Sequence, residues 1–104
     1  MVAPSHRKRG LGELLLNVAL SNGVDLGCTA GYLEVRESNK PAISLYQEYQ
    51  FKIAGRREAY YRDGETALLM NLGPFMTGAE TESYQRLIKK QAESLKKTIQ
   101  FRLV

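Results

Sequence analysis

Between Thr29 and Pro41 the sequence passes from an extended pattern to a helix start within a few residues, and this handover limits what the chain can fold into. The stretch 29–35, Thr-Ala-Gly-Tyr-Leu-Glu-Val, is rich in residues that suit a pleated strand, with Tyr32, Leu33 and Val35 expected to be buried. Glu37-Ser38-Asn39-Lys40-Pro41 follows. Ser or Asn can satisfy the unpaired N–H groups that open a helix, and proline fits its first turn. Ala42, Leu45, Tyr46 and Tyr49 then share one face of a helix of about three turns.

The same logic divides the rest. Val2 to Arg9 is a short polar lead-in containing Pro4. From Gly10, the residues Leu11, Leu14, Leu15, Val18 and Ala19 recur at helical spacing, and Gly23 is the expected stop. Phe51 to Tyr61 and Thr66 to Leu72 are expected strands, joined by a hairpin turn at Asp63-Gly64. Residues 73–79, with Pro74 and Gly78, are expected to be a linker. From Glu80 to about Phe101 a last amphipathic helix is expected, with Tyr84, Leu87, Ile88, Ala92, Leu95 and Ile99 on its apolar side. Glu80 and Glu82 at its start and Lys96 and Lys97 near its end suit the helix dipole. The order helix, strand, helix, strand, strand, helix is an α/β layout. We expect residues 1–72 to form a domain, 73–79 a linker and 80–104 a helical tail.

Composition narrows the function classes. At 104 residues and 43% hydrophobic content the chain can build one modest core. No apolar run approaches the ~20 residues that span a bilayer. One cysteine, Cys28, cannot form an internal disulfide, which suits a reducing cytoplasm, and with His6 the sole histidine no metal-ligand cluster is expected. The net charge of +4 gathers at His6-Arg7-Lys8-Arg9 and at Lys89, Lys90, Lys96 and Lys97. Such clusters are either solvated faces or sites of attraction to a polyanion such as RNA or a phosphate-bearing cofactor. No aromatic-basic RNA motif accompanies them, so direct nucleic-acid binding is not expected.

Arg7-Lys8-Arg9-Gly10-Leu11-Gly12 leads into the first expected helix. Two glycines let the backbone approach a ligand, and the unpaired first N–H groups of a helix, at its positive dipole end, suit a pyrophosphate. Arg7-x-x-Gly10-x-Gly12 is similar to the pyrophosphate signature of GNAT N-acetyltransferases. Leu33-Glu34-Val35-Arg36-Glu37-Ser38-Asn39, with Ala42 and Leu45-Tyr46, resembles a segment of the ribosomal-protein-alanine N-acetyltransferases. Gly55-Arg56-Arg57-x-x-Tyr60-Tyr61, with Gly64-Glu65 and Ala67-Leu68-x-Met70, resembles that family's closing hairpin.

The resemblance implies the C-terminal half of an acyl-CoA N-acyltransferase (GNAT) fold: a small mixed sheet of about three strands flanked by helices, plus a C-terminal amphipathic helix. It implies acetyl-CoA as cofactor, held at the pyrophosphate by Arg7, Lys8, Arg9, Gly10, Leu11 and Gly12, with Asn39 beside the pantetheine arm. Tyr46 matches the general acid that protonates the leaving thiolate. A phenol, with an ordinary pKa of about 10, holds its proton at neutral pH. The acceptor implied is the N-terminal amine of a protein, in this family a ribosomal protein.

On the residues alone Tyr46 is equally a core aromatic, Asn39 an N-cap, Glu34 a solvated strand carboxylate, and Tyr60 and Tyr61 either peptide contacts or strand filling. The family's N-terminal half has no counterpart here, and Gln50 stands where the family usually has glycine. The expected strand 29–35 is thereby left with a bare edge, which a homodimer or the tail helix could cover. A cofactor-binding fragment without catalysis, or a small basic ribosome-associated protein, are the alternative functions.

Overall fold

The computed structural model describes residues 4–99, and the side chains of residues 10–95. Expectations for Val2, Ala3 and Phe101, and for the side chains of Arg7, Lys8, Arg9, Lys96, Lys97 and Ile99, lie outside the described residues. The elements are α1 (Pro4–Asp25), β1 (Gly31–Arg36), α2 (Lys40–Glu48), β2 (Lys52–Arg57), β3 (Ala67–Leu72) and α3 (Gly78–Ile99). They form two compact units. One joins the chain up to Cys28 with the chain from Met76 onward, and the other is Thr29–Phe75.

In the Thr29–Phe75 unit the strand order is β1-β3-β2, with β3 antiparallel to both neighbours. The sheet is therefore antiparallel throughout rather than mixed. β1 and β2 run in the same direction, but β3 inserts between them and leaves no parallel pair. Val35 lies opposite Leu68, Leu33 opposite Met70 and Gly31 opposite Leu72, which places one apolar face along the sheet. Val35, Leu68, Met70 and Leu72 are buried there. Successive strand residues point to opposite faces. Tyr32 therefore cannot share the face of Val35, and it is 75% exposed instead of buried.

β2 ends at Arg57, four residues short of the expected Tyr61, because the backbone turns through Ala59 (φ 53°). Asp63-Gly64 does turn the chain, with Gly64 at φ 84°. It does so inside a wider loop, closed by Tyr61 N–H to the Glu65 carbonyl (3.2 Å) and Gly64 N–H to the Tyr61 carbonyl (2.9 Å). Gly73 (φ 76°) must be glycine, since a Cβ there would stand 2.5 Å from the Thr29 carbonyl oxygen.

In the other unit, α1 begins at Pro4 and not at Gly10. Proline is favoured in a first helical turn, and Arg and Lys are good helix formers. It ends at Asp25, two residues beyond the glycine expected to stop it. Gly27 (φ 89°) closes α1 through Gly27 N–H to the Val24 carbonyl and Cys28 N–H to the Gly23 carbonyl, both 2.9 Å. These are the two bonds of a Schellman motif, whose left-handed position selects glycine. The face of α1 that packs is also not the expected one. Leu11, Leu14, Leu15 and Val18 are exposed, whereas Asn17 is buried and donates its side-chain N–H to the Ile88 carbonyl of α3 at 3.0 Å. α3 buries Tyr84, Ile88 and Leu95 from its expected apolar stripe. Thr77 caps it, its hydroxyl accepting the Glu80 N–H at 3.1 Å, while Glu80 reaches back to the Met76 N–H at 3.2 Å.

Candidate functional site

α2 is closed by side chains and backbone at both ends. Asn39 Oδ1 accepts the Ala42 N–H at 3.3 Å, so the cap expected from sequence is formed. At the other end Gln50 (φ 68°) takes the left-handed position. Gln50 N–H donates to the Gln47 carbonyl (2.9 Å) and Phe51 N–H to the Tyr46 carbonyl (3.0 Å), a second Schellman motif. That closure brings its two flanking side chains together: the Tyr46 and Phe51 rings lie 6.0 Å apart, tilted by 60°. Phe51 is buried and Tyr46 half-buried. No described residue takes a hydrogen bond from the Tyr46 hydroxyl. Ile43, absent from the expected apolar face, is buried on α2 beside Leu45 in sequence.

The opposite face of the sheet is polar and aromatic. Arg36 Nη1 contacts Asp63 Oδ2 at 2.8 Å and Glu65 Oε2 at 3.0 Å. Its guanidinium lies 4.0 Å from the centre of the Tyr61 ring. Glu65 Oε1 accepts the Ser38 N–H at 2.9 Å, and Asp63 Oδ1 accepts the Glu65 N–H at 3.0 Å. Ser38, before Arg36, holds the Glu65 carboxyl below its ordinary value, and the Glu65 N–H followed by Arg36 does the same for Asp63. Tyr60 meets Tyr61 edge to face at 5.2 Å. The bond between the Tyr60 hydroxyl and the Glu34 carboxylate raises the Tyr60 phenol above its usual range. Arg56 pairs with Glu37 at 3.1 Å. This network escapes sequence analysis because Arg36 and its carboxylates stand 27 and 29 positions apart.

The N-terminal candidates lie in the other unit. Gly10, Leu11 and Gly12 are within α1, as is the backbone of Arg7, Lys8 and Arg9. Interior helical amides pair with the carbonyl four residues earlier. As placed, the amides of Arg9 to Gly12 are not free donors, and this backbone does not fit a pyrophosphate. A Cβ at Gly10 or Gly12 would meet nothing within 4 Å. No packing among the described residues therefore explains two glycines that each cost a helix about 1 kcal/mol relative to alanine.

Residues 1–51 match the acetyltransferase (GNAT) family model. Over those residues the chain is similar to GNAT acetyltransferases. It is 41% identical over 70 residues to an N-alpha-acetyltransferase of Saccharolobus solfataricus, covering 66% of this chain and 42% of that protein. The crystal structure of the ribosomal-protein-S18-alanine N-acetyltransferase from Escherichia coli matches with a TM-score of 0.62 at 39% identity, over 74% of this chain and 52% of that one. The NatC complex bound to Gag peptide and CoA matches with a TM-score of 0.63 at 25% identity, over 72% and 46% of the two chains. The chain spans about half the length of the relatives it matches. Among the described residues, no helix is long and apolar enough to cross a membrane.

Proposed function

We propose that the protein is an acetyl-CoA-dependent N-acetyltransferase, acting on the N-terminal amine of a protein, with a ribosomal protein as the acceptor the sequence points to. The observation that carries this function is the local order of Leu33 to Tyr46. The segment that resembles the ribosomal-protein-alanine enzymes forms a strand, an Asn39-capped helix and a half-buried tyrosine whose hydroxyl bonds to no described residue. Tyr46 is the proton donor to the leaving group, and Asn39 lies along the cofactor arm while serving as cap. Glu34 is the proton acceptor for the amine. Glu37, Asp63 and Glu65 each face an arginine, whereas Glu34 is in no ion pair among the described residues. Tyr60 and Tyr61 contact the acceptor peptide.

Arg7, Lys8, Arg9, Gly10, Leu11 and Gly12 bind the pyrophosphate once their amides are released from the helix, with α1 then starting near Gly10. The unexplained glycines support this. β1 pairs with β3 alone among the described strands, and its free edge is the surface through which two copies would associate. Concentration-independent sedimentation as a monomer would remove that dimer. Tyr46→Phe is expected to lower kcat about a hundredfold with little change in cofactor binding, within the range a positioned acid supplies. Unchanged turnover removes Tyr46 from the chemistry. A second function is cofactor binding without turnover. Saturable acetyl-CoA binding with no acetyl transfer to any N-terminal peptide would select it.

A further inference from the structure

We propose that Arg36 is a positioning residue for acceptor recognition, pinning the loop that carries Tyr60 and Tyr61 to the strand that carries Glu34. This rests on the acetyltransferase function above. Arg36 lies on β1, two residues from Glu34 and therefore on the same face of the sheet. From there it reaches a loop that is distant in sequence in three ways: ion pairs to Asp63 and Glu65, and the face of the Tyr61 ring.

The far side of the loop is tied as well. Glu65 also holds the Ser38 N–H, and Asp63 also holds the Glu65 N–H. Tyr61 in turn braces Tyr60 edge to face at 5.2 Å. The chain of contacts runs from Tyr60 through Tyr61 and Arg36 to β1, the strand of Glu34. The loop needs such a tie, because it is exposed and passes through two positive-φ residues, Ala59 and Gly64. Arg36 Nη1 meets both carboxylates while the flat guanidinium lies over the Tyr61 ring, and lysine's compact ammonium has no such plane to stack. Arg36 touches neither acceptor nor cofactor in this scheme, so its loss should appear in acceptor KM and leave kcat in place.

The test uses the full chain with acetyl-CoA and a short peptide bearing a free N-terminal alanine, comparing wild type, Arg36→Lys and Asp63→Asn. Hydrogen exchange at the Tyr61, Gly64 and Ser38 amides reports the pin independently of activity. The expected result is faster exchange at these amides and a rise of about tenfold in peptide KM for Arg36→Lys, with kcat and acetyl-CoA binding unchanged. Asp63→Asn keeps the Glu65 pair and is expected to show a smaller rise of the same kind, and it carries the test if the lysine variant does not fold. Loop exchange that matches wild type overturns the inference, as does a loosened loop with unchanged peptide KM. In both cases the acetyltransferase function survives. A wild-type chain that acetylates no peptide overturns both together.

Discussion

The two compact units hold their elements in place by different means. In Thr29–Phe75 every junction is closed by a specific short-range device: Asn39 at the start of α2, the Tyr46–Phe51 Schellman closure at its end, and Gly73 against Thr29 after β3. Met70 and Tyr49 are completely buried there. In the α1–α3 unit the helix ends are as well closed, by Gly27 and Thr77, but the pairing between them is lightly specified. Its buried interior holds Asn17 among Tyr84, Ile88 and Leu95, while Leu11 and Leu15 stay 65% and 70% exposed on the other face of α1. A sheet fixes which face is buried through its register. A helix with apolar residues on two faces leaves that choice to whatever it packs against.

The largest test of this contrast is truncation of one apolar side chain in each unit. Met70→Ala is expected to cost about 2–5 kcal/mol, a large part of the stability of a chain this size. Leu15→Ala, exposed on α1, is expected to change stability by no more than about 0.5 kcal/mol. Urea unfolding of both variants checks the difference. If Leu15→Ala proved as costly as Met70→Ala, the leucine face of α1 would be the buried one, and the packing through Asn17 would be wrong.

A smaller effect is expected at the start of α1. With Gly10 and Gly12 inside a helix, replacing both with alanine should add about 1 kcal/mol of helix stability at each position and raise the helical circular-dichroism signal. The same double variant should weaken acetyl-CoA binding, since the cofactor needs these amides outside the helix. Stronger helicity with unchanged binding would detach the pyrophosphate site from residues 7–12. Unchanged helicity would instead show that α1 begins at Gly10 in solution.

Much of the fold was legible from local chemistry alone. The Asn39 cap, the strand 31–36 and the apolar stripe of α3 follow from patterns a few residues long. What escaped did so for identifiable reasons. Gly23 and Gly27 are both plausible stops, and only the bond from Cys28 N–H to the Gly23 carbonyl decides between them. Thr77-x-x-Glu80 is a capping box that can be read in the sequence, but Pro74 and Gly78 around it favoured a linker. Asn17 carries no apolar signal, so its burial cannot be seen in periodicity. The Asn39 cap and the place of Tyr46 on α2 were legible through motif and spacing, whereas the contacts of Arg36 depend on a loop distant in sequence.

The smallest prediction returns to the end of α2, where the two helix closures of the molecule differ by one residue. α1 turns through Gly27 at φ 89° and α2 through Gln50 at φ 68°. The bond patterns are the same, yet a side chain in the left-handed region crowds its own carbonyl and glycine does not. Gln50 is exposed, so its side chain gains no burial to offset that crowding. Gln50→Gly is therefore expected to stabilise the Thr29–Phe75 unit by about 0.5–1 kcal/mol, with glycine's greater freedom in the unfolded chain limiting the gain. The Tyr46–Phe51 contact should persist, since it depends on the closure and not on the residue that makes the turn. A shift of the urea midpoint to higher concentration at unchanged slope would support this. A fall in the midpoint would mean that the Gln50 side chain makes a stabilising contact, and that the second closure is specified by more than its backbone.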